Sequence, residues 1–247
     1  MVGHPMRCCW NYSPNMVQAP SCTNNMASWV HEISVWVFDL DNTLYDARTE
    51  IFPQIDARMT GYMAGMLGLS WDRANDLRRT YWVEFGATLH GLRQIHGLCP
   101  LIFTQNTHDI DYSGLVPCGV TNQFLTKLPG HKMLFTNGPR QHALQVLAQR
   151  GMTDIFADMI TIEDTDFRPK PDPHGYEHIL KQLGVPASQV AMFEDNEQNL
   201  LTARSLGLRT LHVGASRLPY WDRRDDHLNG HLEWLHHQLD AQGPTTP

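Results

Sequence analysis

The stretch Ser34 to Tyr45, SVWVFDLDNTLY, decides how the rest of the chain is read. Val35, Trp36, Val37 and Phe38 form an apolar run rich in β-branched and aromatic residues, which stops abruptly at Asp39, Leu40, Asp41, Asn42 and Thr43. Such a run reads as a buried strand that delivers carboxylates to its tip. Residues i and i+2 share a strand face, so Asp39 and Asp41 are expected to lean the same way, and a turn there adds a carbonyl. A hard, oxygen-seeking cation such as Mg²⁺ suits that donor set. Taken alone, Asp-x-Asp-Asn-Thr is equally an ordinary strand end and turn, because Asp, Asn and Thr all favour turns and caps.

Further along, the same pattern repeats. From Lys132 short apolar runs alternate with helical periodicity. Met133 to Phe135 ends in Thr136, Asn137 and Gly138, and Pro139 opens a helix. Met159 to Ile162 is followed by a loop carrying Arg168, Pro169, Lys170 and Pro171, then by a helix with Tyr176, Ile179, Leu180 and Leu183 on its inner side. Val190 to Phe193 ends in Glu194 and Asp195, with a helix from about Asn196 to Leu206, and Arg209 to Val213 is the last clear strand. Strands alternating with helices predict an α/β fold, a parallel sheet with helices on both faces. Right-handed crossovers then set the strand C-termini along one edge, where ligands bind.

Four polar tips meet at that edge: Asp39 with Asp41 and Asn42, Thr136 with Asn137, Lys170, and Glu194 with Asp195. Together they suit phosphoryl transfer, which needs a nucleophile, a proton donor and neutralised oxygens. Asp39 is the candidate nucleophile and Asp41 the candidate acid and base, a role served best by a raised pKa, toward which neighbouring carboxylates push it. Mg²⁺ would be held by Asp39, the Asp41 carbonyl, Asp195 and Glu194. Asn42, Asn137, Lys170, and Thr136 by hydroxyl and backbone N–H, would receive phosphate. Each tip also has a plain structural reading as a cap or a solvated loop, and it is their conjunction along one edge that favours chemistry.

Between Tyr45 and Lys132 the periodicity is helical. Ile51, Ile55, Met59, Tyr62, Met63 and Met66 recur at helical spacing up to Gly68. Ser70 then opens a second helix with Leu77, Tyr81 and Phe85 as its apolar row. Beyond Phe85, Gly86, Gly91 and Gly97 are expected to break the chain into shorter pieces, and residues 98–122 read as irregular. The expected organisation is a poorly ordered leader over 1–30, a core of 31–45 with 131–240, a helical cap over 46–130 and a flexible tail over 241–247. Met26 is a candidate alternative start. Residues 216–226 show no pattern, and Leu228, Leu232, Leu235 and Leu239 predict a final amphipathic helix.

At 247 residues, 42% hydrophobic and 18% charged, the composition is that of a globular protein. The net charge of −7 gives no reason to expect nucleic acid or an anionic membrane as partner. No apolar run approaches the roughly 20 residues that span a bilayer. Five cysteines without a Cys-x-x-Cys pair argue against a disulfide framework or zinc site and point to the cytoplasm. The fourteen histidines include His174-Gly-Tyr-Glu177-His178, but on a helix His174 and His178 fall opposite the apolar stripe, so no chemistry is assigned to any histidine. A monomer or a homodimer is expected.

The four tips carry a resemblance. DLDNT, FTNG, RPKPDP and FEDNEQN are similar, in order, to the four motifs of the haloacid dehalogenase-like hydrolase superfamily, over residues 34 to 215. The resemblance implies a Rossmann-like core, Mg²⁺, an aspartyl-phosphate intermediate and a small helical cap inserted after the first motif. Asn196 stands where many members carry Ser. YWVEFGATLHGL at 81–92 resembles a cap stretch of the pyrimidine 5′-nucleotidase subfamily, which implies nucleoside 5′-monophosphates as substrates. Tyr45, Tyr81, Phe85 and Leu89 are then candidates to stack on a base, although such a stripe also suits a cap core. A sugar-phosphate phosphatase or phosphomutase, a 2-haloacid dehalogenase and a non-catalytic binding protein are the alternatives.

Overall fold

A computed structural model describes residues 28–241 except 49 and 217. The leader expected over 1–30 and the tail expected over 241–247 lie almost wholly outside those residues. What is described of the former is a short 3₁₀ turn, Ser28–Glu32, anchored by buried Val30.

Strand β1 is Val35–Phe38, and all four of its residues are buried. The alternation of a strand sends Trp36 and Phe38 to one face and Val35 and Val37 to the other, and each pair joins a separate apolar cluster. A strand wrapped on both faces must be central. The remaining strands are β2 (His131–Phe135), β3 (Asp158–Ile160), β4 (Val190–Glu194), β5 (Arg209–Val213) and β6 (Arg223–Asp225), in the order β3-β2-β1-β4-β5-β6. Every pairing is parallel. The chain builds outward from β1 on one side, then crosses back to build outward on the other. The switch between the two directions falls at β1 and β4, whose register aligns Phe38 with Phe193. The crevice that such a switch opens beyond the strand ends is where α/β sheets bind ligands.

The described residues form nine α-helices. Those of the core are α6 (Arg140–Arg150), α7 (Pro173–Leu183), α8 (Glu197–Ser205) and α9 (Leu228–Asp240). The terminal helix buries Leu228, Leu232 and Leu235 as its spacing requires. Residues 216–226, patternless in sequence, supply β6: its alternating burial is weak because it is an edge strand with one neighbour.

Between β1 and β2 lie α1 (Ile51–Leu67), α2 (Trp71–Phe85), α3 (Thr88–His96), α4 (Pro100–Thr107) and α5 (Gly119–Lys127). The first four surround their own small core of Met63, Ala74, Tyr81, Leu92 and Phe103. Two expectations need correction. Gly91 does not interrupt a helix but sits inside α3, where a Cβ would come within 2.6 Å of Tyr81 Cγ, so its smallness lets α3 press against α2. Residues 98–122 are not irregular throughout: Pro100 takes the first position of α4, where it is well tolerated, and α5 packs on α9 of the core. Cysteine counting also missed one bridge: Cys118 is buried and disulfide-bonded, whereas Cys99 is free. Among the described residues no helix is long and apolar enough to cross a membrane.

Candidate active site

Asp39 follows the last residue of β1, and its N–H still donates to the Phe193 carbonyl of β4 at 3.0 Å. The carboxylate is thereby fixed at the central switch of the sheet. Lys170 reaches it from the loop after β3. Its Nζ donates to Asp39 Oδ1 at 2.7 Å, to the Phe135 carbonyl at 2.8 Å and to Glu194 Oε2 at 2.8 Å, which uses all three ammonium protons. The lysine backbone is clamped as well, since Asn137 accepts from its N–H at 2.7 Å and donates to its carbonyl at 3.0 Å. Glu194 also accepts from Asn199 Nδ2 at 3.0 Å and from the Asn196 N–H at 3.1 Å. Asn196 caps α8 with its own side chain, so the cap and the acid support each other.

Asp39, Glu194 and Asp195 bring one oxygen each within 4.8 Å of one another. Burial, then the charge of Glu194, raise the Asp39 carboxyl to about 7 despite Lys170, and burial with Asp39 nearby raises Asp195 to about 6. Burial likewise raises Glu194. Asp39 and Glu194 outweigh the effect of burial on Lys170 and push it up. One ammonium thus faces three carboxylates, and that excess of negative charge is what a divalent cation with oxygen ligands relieves. The donor set therefore fits Mg²⁺, with Asp39 and Asp195 the freer acids, because Glu194 already takes three hydrogen bonds.

Asp41 lies beyond the strand rather than on it, in a turn closed by an isolated bridge to Tyr45 and by Asn42 in the left-handed region at φ 65°. The Asn42 side chain accepts from the Ala47 N–H at 3.1 Å and donates to Asp195, so it is already committed. Thr136 is buried; its Oγ1 accepts from the Gly138 N–H at 2.9 Å, which leaves the hydroxyl proton to give. Its backbone N–H, expected to meet phosphate, instead donates to the Ile160 carbonyl of β3 at 3.0 Å. The ladder between β2 and β3 claims it.

The histidines also need correction. His142, on the first turn of α6, is fully buried and places Nε2 3.0 Å from Asp41 Oδ1. The Tyr45 hydroxyl donates to the same oxygen. Burial alone would raise Asp41, but His142, Tyr45 and the more distant His108 outweigh it and hold the carboxyl below its ordinary value, opposite to the expected direction. A histidine in the first turn of the helix that follows the Thr136 tip, six residues after it, was the available sign. His174 and His178 do lie away from the site, as their spacing indicated: His178 is exposed and His174 is 3.7 Å from Asp166.

Above the polar floor opens a cavity of about 1080 Å³. The insertion lines it with Phe52, Met59, Trp71, Arg79, Trp82 and Leu89, among others. Of the four residues proposed to stack on a base, Leu89 alone faces the cavity. Tyr45 is taken by Asp41, and buried Tyr81 packs edge-on against Phe85 while its hydroxyl meets His96 Nε2 at 2.7 Å.

Residues 33–207 match the haloacid dehalogenase-like hydrolase family. The chain is 31% identical over 194 residues to "Phosphate metabolism protein 8" of Saccharomyces cerevisiae, covering 70% of this chain and 59% of that protein. It therefore spans less than two thirds of the length of that relative. It is 29% identical over 189 residues to a phosphoglycolate phosphatase of Vibrio cholerae, covering 71% of this chain and 81% of the relative. The crystal structure of a HAD phosphatase from Thermococcus onnurineus superposes with a TM-score of 0.58 at 20% identity, covering 82% of this chain and 98% of that one, a likeness of fold.

Proposed function

Since the chain belongs to the haloacid dehalogenase-like hydrolase family, we propose that it is a Mg²⁺-dependent phosphomonoester hydrolase that prefers pyrimidine nucleoside 5′-monophosphates. The observation that carries this reading is the Asp39–Lys170–Glu194 ion cluster at the switch of the sheet, with Asp195 and the Thr136 hydroxyl beside it.

Asp39 attacks phosphorus while Lys170 holds its Oδ1. The ester P–O bond breaks as the bond from Asp39 forms, and Asp41 hands its proton to the departing oxygen. The incoming phosphate dianion counteracts the donors around Asp41 and raises it toward protonation. Asp41 then takes a proton from the water that hydrolyses the aspartyl-phosphate. Thr136 donates its hydroxyl to a phosphate oxygen; because the Asn137 side chain is occupied with Lys170, its contribution there falls to the backbone. Bound through Asp39, Asp195, Glu194 and the Asp41 carbonyl, Mg²⁺ would neutralise charge on the transferred group. Helices α1–α4 act as a cap over this floor, and their aromatic lining favours a flat leaving group.

A sugar-phosphate or other small phosphometabolite is the second reading, favoured by the relatives whose names specify phosphoglycolate and phosphorylated carbohydrates. A dehalogenase is disfavoured because halide leaves without a proton and has no use for Asp41. Phosphate release from UMP, CMP and glucose 6-phosphate, with and without Mg²⁺, tests the proposal. Release should require the metal, favour the nucleotides and fall at least about 10⁴-fold in Asp39→Asn. Metal-independent release, or an active Asp39→Asn, overturns it.

A further inference from the structure

Behind Asp41 lies a chain of buried polar side chains for which the transfer of phosphate to Asp39 has no direct use. Asp41 stands in a turn past the end of the sheet, where the strand ladder cannot fix its carboxyl group. Two donors nevertheless converge on one oxygen, His142 Nε2 at 3.0 Å and the Tyr45 hydroxyl, both on Oδ1. The second oxygen faces the phosphate-binding turn: a Cβ built on Gly138 would lie 3.7 Å from Asp41 Oδ2 and 3.3 Å from Thr136 Oγ1.

The donors are themselves held. The His142 ring packs edge-on to His108, with centroids 5.4 Å apart, and its Nδ1 lies 3.0 Å from the Tyr112 hydroxyl. That hydroxyl is also 3.0 Å from the His108 carbonyl. An ionised Asp41 requires His142 to donate from Nε2. A neutral ring then receives the Tyr112 proton at Nδ1, whereas a charged ring donates there and releases that proton to the His108 carbonyl. The contact to Asp41 is the same in either state.

We propose that His142 and Tyr45 are positioning residues that lock Asp41 Oδ1 and so present Oδ2 to the departing oxygen of a phosphate ester, an inference that rests on the phosphatase reading. As the ester P–O bond breaks, the proton on Oδ2 passes to the leaving oxygen. The negative charge then left on Asp41 is shared with Oδ1, where the two donors stabilise it. A histidine buried only to fill space would make the same contacts, but its loss would weaken every substrate alike.

Leaving-group chemistry separates these roles. An alkyl ester such as UMP needs a proton to depart, and p-nitrophenyl phosphate does not. The value of kcat/KM covers the steps through departure of that group, so subsequent hydrolysis of the aspartyl-phosphate does not mask the difference. In His142→Leu, kcat/KM for UMP should fall about 100-fold while that for p-nitrophenyl phosphate falls about threefold or less, the pattern also expected of Asp41→Asn. His142→Gln, which retains a donor, should regain about tenfold on UMP. If His142→Leu does not fold, Tyr45→Phe removes a single donor oxygen and should show the same selective loss at smaller size. Equal losses on both substrates, or no loss, in variants that keep the wild-type Tm overturn the positioning role. If wild type cleaves neither ester, the phosphatase reading fails instead, and wild-type kinetics alone reveal it.

Discussion

The floor and the roof of the large cavity are built on opposite terms. On the floor, Lys170, Asp39 and Glu194 are buried and tied to one another and to the sheet by contacts of 2.7 to 2.8 Å. On the roof, Trp71 and Trp82 are 52% and 62% exposed. A buried charge tolerates no slack, because each unpaired ion costs several kcal/mol, whereas an exposed ring is nearly indifferent to its exact place. Under the proposed reading, chemistry is fixed where the protein is rigid, and substrate choice is left to surfaces that change cheaply.

Four substitutions put that contrast at risk. Lys170→Met strands two buried carboxylates, and denaturant unfolding should register a loss of about 3 to 5 kcal/mol. A loss under about 1 kcal/mol would mean that the floor is not the rigid partner. Gly91→Val drives a side chain into Tyr81 and should destabilise by about 1 to 3 kcal/mol. Because the α1–α4 cluster has its own core, this loss should show first as raised proteolysis in residues 71–96, and uniform susceptibility would argue that roof and floor unfold as one.

His231 tests rigidity by proton uptake. Burial lowers it to about 3 from an ordinary value of 6.5, against the opposing effect of its bond to the His212 carbonyl at 2.8 Å. Between those values the unfolded chain binds a proton that the folded one refuses, so stability falls as pH drops below about 6.5 and is flat above it. The acids on the floor titrate in wild type and variant alike, so the stability difference from His231→Gln isolates the effect. That gap should narrow by about 1 to 2 kcal/mol between pH 6.5 and 5, and a constant gap counts against a neutral, closed-in His231. The smallest effect is expected on the roof: Trp82→Ala should raise KM for UMP several-fold, about 1 kcal/mol, with kcat and Tm little changed. A large fall in kcat would move Trp82 from recognition into chemistry.

The strand tips were legible in sequence because an apolar run ending in acids has one good explanation in a parallel sheet. Their convergence followed from topology: β1, β2 and β4 are neighbours, so Asp39, Thr136 and Glu194 must be too. Backbone competition was not legible. The Thr136 N–H is claimed by Ile160 only because β3 pairs with β2 in one register, and no local pattern records that. His142 was missed because a lone histidine on an apolar face usually satisfies itself in the core, and its partner lies 101 residues away in sequence. Helices α4 and α5 were obscured by threonines and, in α4, by Pro100, whose poor intrinsic helix preference is offset by packing. Gly91 misled for the reverse reason: glycine reads as a breaker, while here the missing side chain makes room for a neighbouring helix.

The Phe135 carbonyl, where β2 ends, accepts from Lys170. The residue that pairs with Asp39 is thus also a plug on an acceptor at the end of that strand. A descendant of this protein that gave up the proposed reaction would strand the buried His142 and Tyr45 donors on losing Asp41, and two buried carboxylates on losing Lys170. Lys170 it would have to keep, or replace with another donor, long after the reaction was gone, and a lysine surviving at that place is therefore poor proof of an active enzyme.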